Sequence, residues 1–302
     1  MKTESYKHHY IPQFIIRNFS LRGDGFVKFY NMKKKEITNK PTEEIFYYNN
    51  LYRDEKNHPE NPIKIEEDLA KFECEIASIL KKFYSGNEII ISREDEEKLK
   101  LFFAIMAYRN RKAKKIFSEN ADPKIVEMYK PYLKNENFDD LWKKNLGIAV
   151  NCRSLKEVLD SNEIIDPFKA SLFVMSFGVT GTHLIVVERR GGEDFILGDS
   201  YPYFQTALHE DGSRWPLLNY YVISPTRAII IAINDIDVVP QKARHINESL
   251  FRKPTIMNNG KDIKYTVKKI YEEDVRFIND LAWKYIKDGA VFIDDNRVKI
   301  PD

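Results

Sequence analysis

Apolar residues spaced by three and four positions extend from Ile65 to Phe83. This spacing places them on one side of a helix, so the segment predicts a long amphipathic helix whose apolar face needs a partner. Ser92 followed by Asp95 resembles a helix-capping box, and a second apolar stripe then runs from Leu99 towards Ile116. Two long helices are therefore expected to pack together.

Short strand patterns lie on both sides of these helices. Residues 26–30 and 36–38 flank a turn-like segment and predict a β-hairpin. Residues 184–187 and 195–197 flank a pair of glycines and predict a second hairpin. The continuous apolar run from Ala228 to Ile233 predicts a strand that is buried on both faces.

The end of the chain and its middle complete the expected architecture. A last helix is predicted from Glu272 to Lys287, and residues 120–172 carry shorter helical patterns interrupted by prolines and a glycine. The predicted fold class is α+β, with an N-terminal segment and β-hairpin, long helices, a small mostly antiparallel sheet and a C-terminal helix. We expect residues 1–302 to form a single domain, with 120–172 as a helical insert or lid.

The composition is that of a folded protein and indicates a cellular compartment, but it does not identify a substrate. Apolar residues make up 43% of the 302 positions, enough for a substantial core. The 48 basic and 46 acidic residues leave a net charge of +2, so no global field steers the chain to nucleic acid or membrane. Two cysteines are too few for a disulfide framework, and neither a signal peptide nor a membrane-spanning run is apparent. A cytoplasmic protein without membrane association is expected.

The opening stretch His8-His9-Tyr10-Ile11-Pro12-Gln13-Phe14 holds the first candidate site residues. Adjacent residues of a strand point to opposite faces, so His8 and His9 are expected to play different roles. One could be a general base or a metal ligand, because imidazole titrates near neutral pH, while the other holds structure. An ordinary structural role for both is the alternative.

Two further candidates lie on the predicted helices. Glu73 flanks the apolar stripe of the first helix, where a carboxylate is either catalytic or, more commonly, paired with a basic neighbour. Arg109 lies beside the second stripe and begins a basic run that continues to Lys115. Such a run either binds phosphates or forms a solvated helix end.

Asp199 and Asn279 complete the candidates. Asp199 follows the predicted strand at 195–197, where sheet meets loop, a position favoured both by catalytic carboxylates and by ordinary turn residues. The helical pattern places Asn279 among apolar neighbours, where a buried amide needs hydrogen-bond partners. The sequence contains no phosphate-binding glycine loop, no Gly-x-Ser-x-Gly elbow and no His-Glu-x-x-His pair.

Several of these segments together resemble the bacterial family named domain of unknown function 4238. The opening histidine motif followed by Phe19 is similar to the family's His-His-x-Pro-x-Phe start. Phe72-Glu73 resembles its helix-borne glutamate, Tyr108-Arg109 the arginine that ends its next helix, and the segment containing Asn279 its closing element. The segment at Asp199 resembles the family's Thr-Ser-Asp-x-Pro strand end but departs from it at Gly198 and is one residue longer.

The resemblance implies one assembled polar site, because its matching residues come from distant segments. On it rests our expectation of a hydrolase, specifically a metal-dependent or His-dependent nuclease acting in a stress or anti-phage setting. Its catalytic residues would be His8, His9, Glu73, Arg109, Asp199 and Asn279, with no organic cofactor assigned and a divalent metal ion as an open alternative. The competing hypothesis is a non-catalytic module that uses the same polar pocket to bind a nucleotide, nucleic acid or partner protein. A third makes these residues a buried structural network. A protein partner and a homo-oligomer both stay open.

Overall fold

The computed structural model describes residues 7–21, 23–109, 123–134, 136–170, 182–208, 214–233 and 253–301. The basic run after Arg109 lies outside these residues, as does the end of the second predicted stripe. The described helices are α1 (Gln13–Ile16), α2 (Lys64–Leu80), α3 (Arg93–Arg109), α4 (Pro123–Tyr129), α5 (Phe138–Ala149), α6 (Leu155–Asp160) and α7 (Glu272–Tyr285).

The strands form several small sheets. They are β1 (Lys7–His9), β2 (Phe26–Asn31), β3 (Glu36–Pro41), β4 (Tyr47–Asn49), β5 (Glu88–Ser92), β6 (Thr182–Arg189), β7 (Leu197–Gly198), β8 (Tyr203–Leu208), β9 (Arg214–Val222), β10 (Arg227–Ile233), β11 (Thr255–Ile256), β12 (Asp262–Thr266), β13 (Lys268–Ile270) and β14 (Gly289–Phe292). Their orders are β1-β4, β13-β6-β10-β9-β8, β11-β12-β5 and β3-β2-β14-β7. All of these pairings are antiparallel except that of β13 with β6.

The two long helices form where the apolar spacing predicts them. The buried residues of α2 include Ile65, Leu69, Phe72 and Ile76, and the Ser92 hydroxyl accepts a hydrogen bond from the Asp95 amide (3.0 Å) at the start of α3. From Leu101 to Arg109 every residue of α3 is buried, so this half of the helix has no solvent-facing side. The predicted stripe is confirmed as far as Arg109, and burial on all sides of the helix from Leu101 goes beyond the one apolar face that the sequence predicted.

The helices and the five-stranded sheet share one hydrophobic cluster. On one side of α3, the Phe103 ring contacts the ring of Tyr221 in β9, with centroids 4.1 Å apart, and the Tyr221 hydroxyl donates to the Phe103 carbonyl (3.0 Å). On another side, Tyr108 stacks against Trp142 of α5. Helix α5 is thus packed on α3, and the role of residues 120–172 as an insert or lid stays a prediction.

The strand predictions are partly confirmed. The first hairpin forms from β2 and β3, and the buried strand at 228–233 is β10, which lies between β6 and β9. The second predicted hairpin is wrong, because β6 pairs with β10 and β13 whereas β7 pairs with β14 in another sheet. The glycine pair turns the chain between sheets, and its spacing alone does not fix the partner of either strand. The fold is α+β, with small, mostly antiparallel sheets and a C-terminal helix.

A membrane-spanning helix would need length and continuous apolarity together. None of the helices in the described part of the chain has both.

Candidate functional site

The histidine motif begins with β1, which pairs with β4 and aligns His8 with Tyr48 and His9 with Tyr47. Strand geometry sends the two histidine side chains to opposite faces, as the sequence predicts. His8 is 1% exposed and points into the core. His9 is on the other face and lines a pocket. The two histidines therefore have different surroundings.

His8 has a structural environment. The backbone amide of Tyr52 donates a hydrogen bond to His8 Nδ1 (2.9 Å), and the two rings stack with centroids 5.6 Å apart. Because Nδ1 accepts, the ring proton of neutral His8 is on Nε2. His8 fixes the segment around Tyr52 against β1 and does not line the pocket that His9 faces.

Helix α2 contributes two carboxylates to that pocket. Glu66, Leu69, Ala70 and Glu73 all line it. Their spacing of three, four and seven positions puts them on one face of the helix, so the two glutamates lie two turns apart. The sequence analysis selected Glu73 but not Glu66, because it did not compare glutamates seven positions apart, which lie on the same face of a helix.

Arg109, the last residue of α3, joins the elements of the site. Its Nε donates to the Tyr52 hydroxyl (3.0 Å), one terminal nitrogen donates to the Glu73 carboxylate, and the other donates to the His9 carbonyl. The arginine is only 2% exposed. A buried guanidinium needs such partners, because removing its charge from water is costly. Arg109 therefore holds β1, α2 and Tyr52 in one arrangement.

The pocket has a volume of about 500 Å³ and is open to solvent on one side. Its lining residues are Lys7, His9, Gln13, Glu43, Glu66, Leu69, Ala70, Glu73 and Arg109. Gln13 stands beside the histidine, with its side-chain nitrogen 3.3 Å from His9 Nε2. The sequence motif included Gln13, but nothing in the sequence distinguished it from a residue that only starts α1.

Two titratable side chains of the pocket have pKa values shifted in opposite directions. Burial, followed by the charges of Arg109 and Lys7, lowers the pKa of His9 to about 4. Burial, with a smaller effect of the Glu73 charge, raises the pKa of Glu66 to about 7. Between these values His9 is a neutral base and Glu66 a neutral acid. Paired groups with opposite shifts are a common arrangement for acid and base catalysis.

The structure does not bring Asp199 into this pocket. Asp199 follows β7, and its carboxylate accepts hydrogen bonds from the backbone amides of Lys287 (3.0 Å) and Asp288 (2.6 Å). These contacts satisfy two amides between α7 and β14. The predicted placement at the end of a strand is confirmed, but its carboxylate is engaged there and does not line the pocket.

Asn279 is also remote from the pocket lining. From α7 its amide donates to the Glu193 carboxylate (2.9 Å) and the Asp194 carbonyl (2.8 Å) and accepts from the Ile196 amide (3.1 Å). All three of these side-chain hydrogen bonds go to the segment that leads into β7. Asn279 is thus buried and fully bonded, which is the structural alternative stated for it above.

The described residues contain no group of three or more His, Cys, Asp or Glu side chains placed to hold a metal ion. A divalent ion needs several such ligands or bound water in their place. The side chains of this pocket, as arranged, do not form that ligand set.

Fold and site define an α+β protein with a buried arginine and an open pocket lined by a histidine and two glutamates. The profile of the family described as "Protein of unknown function (DUF4238)" matches residues 7–285, and the chain belongs to that family. No curated protein and no solved structure matches the chain. The family carries no described activity, so the function must be argued from the pocket.

Proposed function

We propose that this protein is a hydrolase that cleaves phosphodiester bonds in nucleic acid, with His9 as general base and Glu66 as general acid. The observation that carries the proposal is the pairing of these two groups in one pocket beside Arg109. His9 is neutral above about pH 4 and Glu66 is protonated below about pH 7, so both hold the form they need over the same range.

The proposed reaction is balanced by two proton transfers. His9 Nε2 takes the proton of an attacking hydroxyl, from water or from the sugar next to the phosphate, as the new P–O bond forms. Glu66 gives its proton to the leaving oxygen as the old P–O bond breaks. The site then holds a histidinium and a carboxylate, and it resets when solvent returns the proton to Glu66 and takes the one on His9.

Arg109 supports the choice of a phosphodiester. Contacts with described residues use three of the five N–H groups of its guanidinium, so two remain for an oxyanion in the pocket. Lys7 adds a second cation to the lining. Because Glu66 is protonated below about pH 7, the lining carries one negative charge fewer against an entering phosphate than its count of glutamates implies.

The test is cleavage of labelled single-stranded RNA, single-stranded DNA and duplex DNA by the full chain. Each substrate is assayed in EDTA and, separately, with Mg²⁺, Mn²⁺ and Zn²⁺. We expect cleavage that His9→Gln and Glu66→Gln each reduce by about 10²-fold or more, the usual size of a general acid or base contribution. Glu67→Gln is the matched control, since Glu67 is the exposed neighbour of Glu66 on α2.

Each other outcome counts against the proposal. Cleavage that survives both pocket substitutions would show that other residues perform it. Binding without cleavage of any substrate would favour the non-catalytic module over the hydrolase. If the chain neither binds nor cleaves any of these substrates, nucleic acid is excluded as the substrate class.

The proposal also covers where and when the protein acts. We propose a cytoplasmic protein that acts during stress or phage infection, and the two cysteines, Cys74 and Cys152, are free thiols as in a reducing compartment. Plaque counts on bacteria expressing the wild-type chain or His9→Gln test it. Equal protection by both, or none by either, would argue against a defence role for this pocket.

A further inference from the structure

Three side chains at four-residue intervals form a hydrogen-bonded row that ends at the proposed base. The terminal Nη2 of Arg17 donates to Gln13 Oε1 (2.5 Å), and Gln13 Nε2 lies 3.3 Å from His9 Nε2. The row runs from the 3-10 turn after α1, through the first residue of α1, to the end of β1. His9 and Gln13 line the pocket, whereas Arg17 lies outside its lining.

The donor and acceptor chemistry of this row allows one arrangement. A guanidinium only donates, so Arg17 fixes the amide oxygen of Gln13 towards itself. The Gln13 NH₂ group then faces His9, and since an NH₂ group only donates, His9 Nε2 must accept. The ring proton of neutral His9 is therefore on Nδ1.

The backbone of Thr42 and Glu43 also affects the His9 ring. Both act to raise the His9 pKa, against the larger lowering effect of burial. Carbonyl groups near an imidazole act in this direction because they accept from a protonated ring nitrogen. This influence is compatible with a ring proton on Nδ1, and the assignment itself rests on the contact with Gln13.

We infer that Gln13, oriented by Arg17, is a positioning residue that holds His9 as the Nδ1–H tautomer, with the Nε2 lone pair accepting from the Gln13 amide in the pocket lining. This deepens the proposed function and rests on it for its catalytic meaning. It also sets a requirement on the substrate, because the attacking hydroxyl must displace the Gln13 amide from Nε2 before His9 takes its proton. Gln13 donates only to the neutral ring, so it opposes protonation of His9 by solvent.

The test reads the tautomer directly, in the full chain without substrate. Long-range ¹⁵N–¹H NMR of the histidine rings distinguishes a protonated from an unprotonated ring nitrogen, and His9→Gln assigns the His9 signals among the six histidines. At pH 7 we expect an unprotonated Nε2 and a protonated Nδ1. In Gln13→Glu the new carboxylate accepts instead of donating, so Nε2 should become protonated and the His9 pKa should rise by about one unit or more.

Arg17 supplies the second pair of variants. Arg17→Ala frees the Gln13 amide to turn its oxygen to His9, so a mixture of tautomers is expected. Arg17→Lys keeps a cationic donor and should restore the wild-type spectrum. Arg17 is exposed, and the buried contacts next to it are made by Ile15 and Ile16 of α1, which these variants keep. The substitutions are therefore expected to leave the fold intact, which circular dichroism checks.

Two results would overturn the inference. One is a wild-type His9 with the proton on Nε2. The other is a Gln13→Glu variant with the wild-type tautomer and pKa. Neither result depends on turnover, so the inference and the hydrolase proposal fail separately. If cleavage is present, Gln13→Glu should also move the acid limb of its pH profile upward by the same amount as the His9 pKa.

Discussion

Glu66 and Glu73 lie on one face of α2, two turns apart, but only Glu73 forms an ion pair with Arg109. Glu66 is half-buried, and its Oε2 is buried without a hydrogen-bond partner among the described residues. One glutamate is therefore paired with a guanidinium, whereas burial favours the neutral acid form of the other. This difference between two identical side chains is the reason that Glu66, and not Glu73, is assigned as the general acid.

The pH dependence of cleavage should follow from the two pKa values. Activity needs neutral His9 and protonated Glu66, so the rate should be highest between about pH 4 and about pH 7. It should fall at lower pH as His9 gains a proton and at higher pH as Glu66 loses one. The measurement is kcat/KM against pH. A rate that keeps rising above pH 8 would contradict the assignment of Glu66 as the acid.

The stability of the chain should report the Glu66 proton without any substrate. Its folded pKa of about 7 lies above its ordinary value of 4.5, so the stability from the protonated form is complete below pH 4.5 and is lost as pH rises through 7. Glu66→Gln cannot ionise. Relative to wild type, its free energy of unfolding should therefore rise between pH 5 and pH 8, by up to about 3 kcal/mol. Urea denaturation at several pH values measures this, and a pH-independent difference would argue against the raised pKa.

The ion pair of Glu73 with Arg109 should be important for stability. The arginine side chain is 3% exposed, so Glu73→Gln leaves a buried charge without its counterion. We expect a loss of about 2 kcal/mol, less than the ~3–5 kcal/mol typical of fully buried pairs because the new amide still accepts a hydrogen bond and Glu73 is partly exposed. The comparison is Glu75→Gln on the same helix, whose exposed pair with Lys98 should contribute at most about 1 kcal/mol. Equal effects in urea denaturation would show that the buried pair has no special role.

Local patterns predicted much of this arrangement. Apolar spacing fixed the extent of α2, and the adjacent histidines were expected on opposite faces because a strand alternates its side chains. The pairing of β6 and β7 was not predictable in the same way, since long-range strand partners depend on the whole chain. Glu66 and Gln13 were missed because each occupies an ordinary helical position, and only the approach of Arg109 and His9 gives them a chemical role.

Asp199 and Asn279 show the opposite case. Their residue types and the family resemblance suggested a place in the site. The Asp199 carboxylate instead accepts from backbone amides after α7, and Asn279 bonds to the Glu193 carboxylate and to the backbone of residues 194 and 196. A sequence pattern can predict that a polar residue is buried and needs hydrogen-bond partners. It does not show whether those partners belong to a ligand or to the protein itself. Three-dimensional contacts are needed to separate the two.

Substitution of Asn279 should lower the stability of the protein without changing its activity. Asn279→Ala removes three hydrogen bonds that join α7 to the segment before β7 and leaves the Ile196 amide and the Glu193 carboxylate without this partner. Each unsatisfied buried group costs about 1–3 kcal/mol, so a loss of about 3 kcal/mol is expected in urea denaturation. Because Asn279 does not line the pocket, the kcat/KM of the folded fraction should stay within about twofold of wild type. A large fall in kcat/KM for fully folded protein, with little loss of stability, would instead place Asn279 in the chemistry.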